Sequence, residues 1–304
     1  MRETNGFFWQ TAKADGFYRE WRAARLSAAD AARSAGFVEI RDLANPSEAE
    51  KSELVRRCGA ANLALYATDE SADQRAAMRP FAEAFGLRIA EKHRSAGGDG
   101  IVALRESDAL SQRGYIPYSK RKMNWHTDGY YNAPDDRISA MVLHTETPAD
   151  DGGSNQFLDH TIAFIRLMDE NPDYVTALMH PEAMTIPANE EEGSLRPASV
   201  GPVFFPDAET GEMQMRYTAR TRSIEWRDDS LTREAVAFLQ HTLETPDPMT
   251  ISLRFGAGQG VLCNNVLHDR TGFDAAVEAH SPRTVYRVRF HNRVKGPNRL
   301  KGTT

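Results

Sequence analysis

Asn124-Trp125-His126-Thr127-Asp128-Gly129-Tyr130-Tyr131 is the stretch on which the reading of this 304-residue chain turns. Side chains of extended backbone alternate faces, so His126 and Asp128 point one way and Thr127 the other. One short segment therefore offers an imidazole and a carboxylate to the same point. Far downstream come Leu267-His268-Asp269-Arg270 and then Arg283 and Arg287. Two imidazoles and one carboxylate are the facial ligand set for iron(II) that leaves the opposite side of the metal open. A third ligand so distant in sequence requires strands laid side by side, as in a β barrel or sandwich.

Each ligand has a bland reading. A His-x-Asp in a chain with nine histidines is by itself an ordinary surface or turn pair, and His268, following the apolar run Gly260-Val261-Leu262, could be a satisfied strand residue. The ordered set of ligands, arginines and the Gly152-Gly153 pair favours the metal site. Two other chemistries share the ligands. A non-catalytic metal-binding jelly-roll sensor would not need the arginine at 283, and a zinc-dependent hydrolase would need a general base beside a metal-activated water.

With 40% hydrophobic residues the chain can bury a large core. One domain over 1–304 is expected, with a mixed α/β leading region at 1–95 packed on the barrel, a core with helical insertions at 96–292, and a basic, solvated tail at 293–304 that includes Arg293 and Lys295. A formal charge of −6 gives no footprint for nucleic acid. Cys58 and Cys263 read as buried free thiols, consistent with a reducing compartment. No apolar run approaches a membrane span and Met1-Arg2-Glu3-Thr4-Asn5 lacks the apolar core of a signal peptide, so a cytoplasmic location is expected. The expected partner is a small molecule, with neither nucleic acid nor membrane, and a homo-oligomer is compatible with the composition.

Periodicity predicts strands at Phe37 to Ile40 and Asn62 to Tyr66, and helices at Ser47 to Ala60 and Ala72 to Phe85. Beyond residue 100, strands are expected at Ile138 to Thr147, Ile251 to Phe255, Gly260 to Asn264 and Thr284 to Phe290, with helices at Thr161 to Met168 and Leu231 to Leu243. Gly256, Gly258 and Gly260 suggest a dinucleotide loop only superficially; no helix opens after them, and a tight turn explains them better. His144 and His160 read as structural. Along Met213 to Arg222, alternation puts Met213, Met215 and Tyr217 on one face and Arg216, Arg220 and Arg222 on the other, the latter read as a solvated stripe rather than an anion guide.

The segment 124–131, Gly152-Gly153-Ser154-Asn155 and Leu267-His268-Asp269-Arg270 together resemble the taurine dioxygenase (TauD/TfdA-like) family of iron(II)/2-oxoglutarate dioxygenases, the last stretch also being similar to butyrobetaine hydroxylases. The resemblance spans residues from about 37 to 292. It implies a mainly β fold with flanking helices, a double-stranded β-helix (jelly-roll) core, and Fe(2+), 2-oxoglutarate and O2 as cofactor and co-substrates. It implies that His126, Asp128 and His268 bind the metal and act in catalysis, and that Arg283 grips the distal carboxylate of 2-oxoglutarate, a task suited to a planar bidentate donor. Arg287 is expected on the same face as Arg283, with Arg289 beside it, touching co-substrate or an acidic substrate. The family usually has a threonine where this chain has Asn155, whose amide can also donate to a carboxylate. The carboxylate at Asp128 favours hydroxylation over halogenation, with 2-oxoglutarate converted to succinate and CO2. Asn124, Tyr130 and Tyr131 are candidate substrate contacts, and the substrate's identity is not legible.

Overall fold

Strands that are apolar on both faces make the frame of this molecule. The computed structural model describes residues 16–69, 73–88, 98–106, 116–191, 194–220, 224–274 and 283–295. A six-stranded sheet runs in the order β1 (Val38–Ile40), β2 (Leu63–Thr68), β8 (Gln259–Cys263), β5 (Ala140–Thr147), β10 (Thr284–Phe290) and β3 (Val102–Leu104). A four-stranded sheet runs β7 (Ile251–Leu253), β6 (Asn155–Leu158), β9 (Leu267–Arg270) and β4 (Met123–His126). Pairing within both is antiparallel except between β1 and β2. The sheets end on open edges, so what is observed directly is a mainly β molecule with helices around it.

Strand alternation decides what each sheet face meets. Leu63, Leu65, Met141, Leu143, Val261, Cys263 and Val285 join Phe157 and Ile251 of the other sheet in one buried cluster. The alternate residues Ala64, Tyr66, Ala140, Val142, Leu262, Val288 and Phe290 pack instead with Leu54, Cys58, Met78 and Phe81. These last four come from α2 (Glu48–Ala61) and α3 (Gln74–Ala84). Burying each large apolar side chain contributes roughly 1.5–3 kcal/mol, so the helical layer holds the sheet flat against the inner cluster. On β10 the inward phase continues past Val285 to Arg287 and Arg289, which places two cations inside the fold.

A second core gathers α4 (His160–Glu170), α5 (Pro172–Leu178) and α6 (Ser230–Glu244) around Phe164, Leu178, Phe204 and Leu239. It also receives α1 (Gly16–Ser34), a helix the sequence reading did not anticipate. Its large apolar residues are few among alanines and charges, and tertiary contacts fix it: Tyr18 and Ala29 enter the core and Arg22 forms a forked ion pair with Asp169. The expected helix after Pro46 is present, with Ser47 as cap: its hydroxyl accepts from Glu50 N and the Glu50 carboxylate accepts from Ser47 N.

Two expectations change here. Arg293 is buried rather than a solvated tail residue, because it donates to the Asn62 side chain at 2.9 Å, next to the C-terminus of α2; Lys295 is exposed and pairs with Glu209, and 296–304 lie outside the described residues. Arg216 is not solvated either. Met213, Met215 and Tyr217 enter the helical core as the alternation requires, but Arg216 is 4% exposed and caged by the Ser199 hydroxyl and the carbonyls of Ser199, Met184 and Gly201. The strands at 184–186 and 199–201 cover its face of the chain, Arg220 is exposed, and Arg222 lies outside the described residues. The cysteines are free and buried, and Gly258 (φ +73°) sits where a Cβ would meet Thr68 O, a turn as expected.

Candidate metal centre

β4 ends at His126 and lies antiparallel to β9, with His126 opposite His268. That register brings the two imidazoles together, ring centres 4.2 Å apart. After β4 the chain turns, and Asp128 comes back beside them: its Oδ1 is 3.8 Å from His126 Nε2, and one donor atom from each of the three residues lies within 4.8 Å of the others. Thr127 points away, as alternation demands. It is buried, its hydroxyl accepts from Tyr217 N and its own N–H donates to Tyr217 O, so the turn is pinned from behind.

The proton bookkeeping suits a cation. His126 Nδ1 is 2.8 Å from Asn124 O and His268 Nδ1 is 3.0 Å from Val266 O. A ring nitrogen facing a carbonyl carries the hydrogen, so each Nε2 presents its lone pair to the centre. Burial first, then His268, holds the His126 imidazole down to about 3, and burial likewise lowers His268, so both are neutral, the ligating form. For Asp128 burial alone would raise the carboxyl, but Arg287 and then Arg289 hold it well below the usual range. Its Oδ1 accepts from Arg287 at 3.2 Å, while Oδ2 is buried with no hydrogen-bond partner among the described residues. A carboxylate with one oxygen unbonded, gathered with two neutral imidazoles, is a donor set that fits iron(II).

Arg283, Arg287 and Arg289 do not stay together. The pairing of β10 with β5 slips between Thr284 and Val285, partners passing from Thr147 to Thr145. Arg287 and Arg289 both reach Asp128 Oδ1, at 3.2 and 3.9 Å, and Arg289 also donates to the Tyr131 hydroxyl at 3.0 Å. Arg283 lies elsewhere, its guanidinium carbon 4.9 Å from the Phe273 ring centre and its Nε 3.6 Å from where a Cβ on Gly153 would be. Gly152 and Gly153 are both left-handed, and a Cβ on Gly152 would meet Gly272 O at 2.5 Å; the pair is thus required by its backbone conformation and by the close approach of Gly272. Burial pulls Arg283 down to about 10, and no acidic group among the described residues acts on it.

The other candidates are placed as follows. Asn155 is buried on β6 beside β9 and donates to Asp269 O at 3.1 Å. Asn124 has an exposed side chain and contributes its carbonyl to His126. Tyr130 and Tyr131 are half-buried and meet edge to face, 5.2 Å apart. His144, between Gln74 and Tyr66, and His160, bonded to Met213 O, are structural as expected. Sequence reasoning missed Asn265, which bonds the backbone of Asp128. Its only signal was an Asn-Asn corner between two apolar strands, where asparagine tolerates left-handed backbone.

The sequence profile described as "Taurine catabolism dioxygenase TauD, TfdA family" matches residues 19–289. No curated protein matches the chain. Among solved structures, asparagine oxygenase in complex with Fe(II), 2S,3S-3-hydroxyasparagine and succinate superposes with a TM-score of 0.61 at 13% identity, over 97% of this chain and 93% of that one. The non-heme iron oxygenase OrfP in complex with Fe and alpha-ketoglutaric acid gives 0.61 at 15% identity, over 88% and 91%. A taurine dioxygenase from Burkholderia xenovorans gives 0.54 at 17% identity, over 82% and 84%. At such identities the likeness speaks for a shared fold.

Proposed function

Because this chain belongs to the TauD/TfdA dioxygenase family and is an oxidoreductase, we propose that it is an iron(II)- and 2-oxoglutarate-dependent dioxygenase acting on a small polar molecule, anionic or zwitterionic. When bound, iron(II) with 2-oxoglutarate and O2 supplies the oxidising power, one oxygen atom entering a substrate C–H bond and the other ending in succinate as CO2 is lost. Hydroxylation, or cleavage following it, is the expected outcome. The chain is read as a single domain, its two facing sheets forming the double-stranded β-helix core, and it works in the cytoplasm.

One observation carries this reading: donor atoms of His126, Asp128 and His268 lie within 4.8 Å of one another in the interior of the fold, with Asp128 Oδ2 lacking a hydrogen-bond partner among the described residues, and the fold also holds a cationic Arg283 with no acidic partner among the described residues. His126, Asp128 and His268 hold the metal. Arg283 binds the distal carboxylate of 2-oxoglutarate, gaining the counter-charge it lacks. Asn155 spends one amide hydrogen on Asp269 O and keeps a second for the same carboxylate. Arg287, fixed by Asp128, orients an acidic group of the substrate, and Tyr130 and Tyr131 close that side. Succinate release from 2-oxoglutarate by the iron(II)-loaded protein, over a panel of sulfonates, carboxylates and betaines, tests the reading. Release abolished in His126→Ala and Asp128→Ala supports it; none with any substrate, alongside tight zinc binding and ester or amide hydrolysis, would replace it with the hydrolase.

A further inference from the structure

The backbone of Asp128 needs an anchor of its own. Each imidazole is oriented by an Nδ1 bond to a carbonyl two residues back, whereas Asp128 lies in a turn after β4, its Oδ1 taken by Arg287 and its Oδ2 without a hydrogen-bond partner among the described residues. What fixes its backbone is Asn265. The Asn265 Oδ1 accepts from Asp128 N at 2.8 Å, and Nδ2 donates to Asp128 O at 3.0 Å and to Ile138 O at 2.8 Å. Both polar atoms of the Asp128 backbone and both hydrogens of the amide are thus used. Asn265 is 5% exposed and left-handed, φ 49°, a conformation asparagine accepts at little cost.

From these contacts we infer that Asn265 is a positioning residue that sets the Asp128–His268 separation and thereby the metal affinity of the site; the inference rests on the metal-site reading above. Asn265 stands three residues before His268, so its amide joins the turn carrying one ligand to the segment carrying another. The chain between them, Val266 and Leu267, is fully buried and cannot shift to compensate. Its neighbour anchors the corner in the opposite direction: Asn264 N donates to Asn62 O at 2.8 Å and Asn264 Oδ1 accepts from Val294 N at 2.9 Å. The corner is therefore a rigid post against which the amide of Asn265 holds the aspartate.

Asn265→Gly keeps the left-handed backbone and deletes only the amide. Iron(II) affinity, by competition with a chelator, and the ligand-field spectrum of the cobalt(II)-substituted protein are measured alongside thermal unfolding of the metal-free form. Gln74→Ala, which removes a buried amide bonded to His144 away from this corner, measures the effect of general loosening. Expected are iron binding weaker by about tenfold or more in Asn265→Gly, as for other groups that orient ligands, an altered cobalt spectrum, and wild-type values of both in Gln74→Ala. Affinity within about twofold of wild type and an unchanged spectrum in Asn265→Gly would overturn the role; so would an equal loss in Gln74→Ala. Should Asn265→Gly not fold, Asn265→Ser, too short to reach both groups, carries the same comparison. Wild type and His126→Ala binding metal equally would instead sink the metal-site reading itself.

Discussion

Arg283→Ala tests the proposed grip on the co-substrate apart from everything else the site does. The guanidinium is half-buried against Phe273, and burial pulls it from the ordinary arginine range down to about 10. At about 1.36 kcal/mol per decade, that is about 3 kcal/mol of hydration forgone in the free protein, and at neutral pH the group is still cationic. A carboxylate arriving in bidentate geometry restores the counter-charge through two charge-assisted hydrogen bonds. Losing them should cost 2-oxoglutarate about 3 kcal/mol, or a Kd raised roughly 100-fold. Arg283→Lys keeps the charge but not the fork, and should fall between, about tenfold weaker. The assay is anaerobic titration of the iron(II)-loaded protein with 2-oxoglutarate, followed by the visible charge-transfer band of the chelate. Thermal unfolding of the metal-free protein is the second arm: alanine removes a buried cation that has no acidic partner among the described residues, so Tm should hold or rise. An unchanged Kd in Arg283→Ala would refute the reasoning, and a steep fall in Tm would make Arg283 structural.

Arg287→Ala should raise KM for the primary substrate more than for 2-oxoglutarate, measured by succinate release at varied concentrations of each; equal effects on both would place Arg287 with Asp128 rather than with substrate. The metal-free protein should lose stability as the pH falls from 6.5 toward 3. Burial and the neighbouring His268 hold the His126 imidazole down to about 3, so across that window the unfolded chain binds the proton first, at a cost of up to about 1.36 kcal/mol per pH unit. Calorimetry of His126→Asn should show a shallower dependence of Tm on pH over that window, and an unaltered slope would count against the depressed imidazole.

The gathering of His126, Asp128 and His268 was legible because its cause is partly local. Alternation put His126 and Asp128 together and Thr127 behind them, and the apolar runs at β5, β8 and β10 announced buried strands. α1 was not legible, since its few large apolar residues acquire meaning only against Phe164 and the rest of the helical core. Nor was the burial of Arg216 and Arg293. Both alternate or lie in sequence as solvated cations do, yet carbonyl cages and Asn62, supplied by distant segments, satisfy them inside.

The sequence by itself determined which residues could ligate a metal, because ligand chemistry belongs to side-chain types and their alternation is a property of the backbone; the choice of Arg283 for a dicarboxylate rested on the family resemblance. Only the tertiary structure decided which atoms meet. The slip in register at Thr284 sends Arg283 to Phe273 and leaves Arg287 and Arg289 on Asp128. The corner at Asn264-Asn265 fixes Asp128 across 137 residues of chain. Register and corners arise from packing between remote strands, and a single strand's pattern carries no record of the partner against which it will be laid.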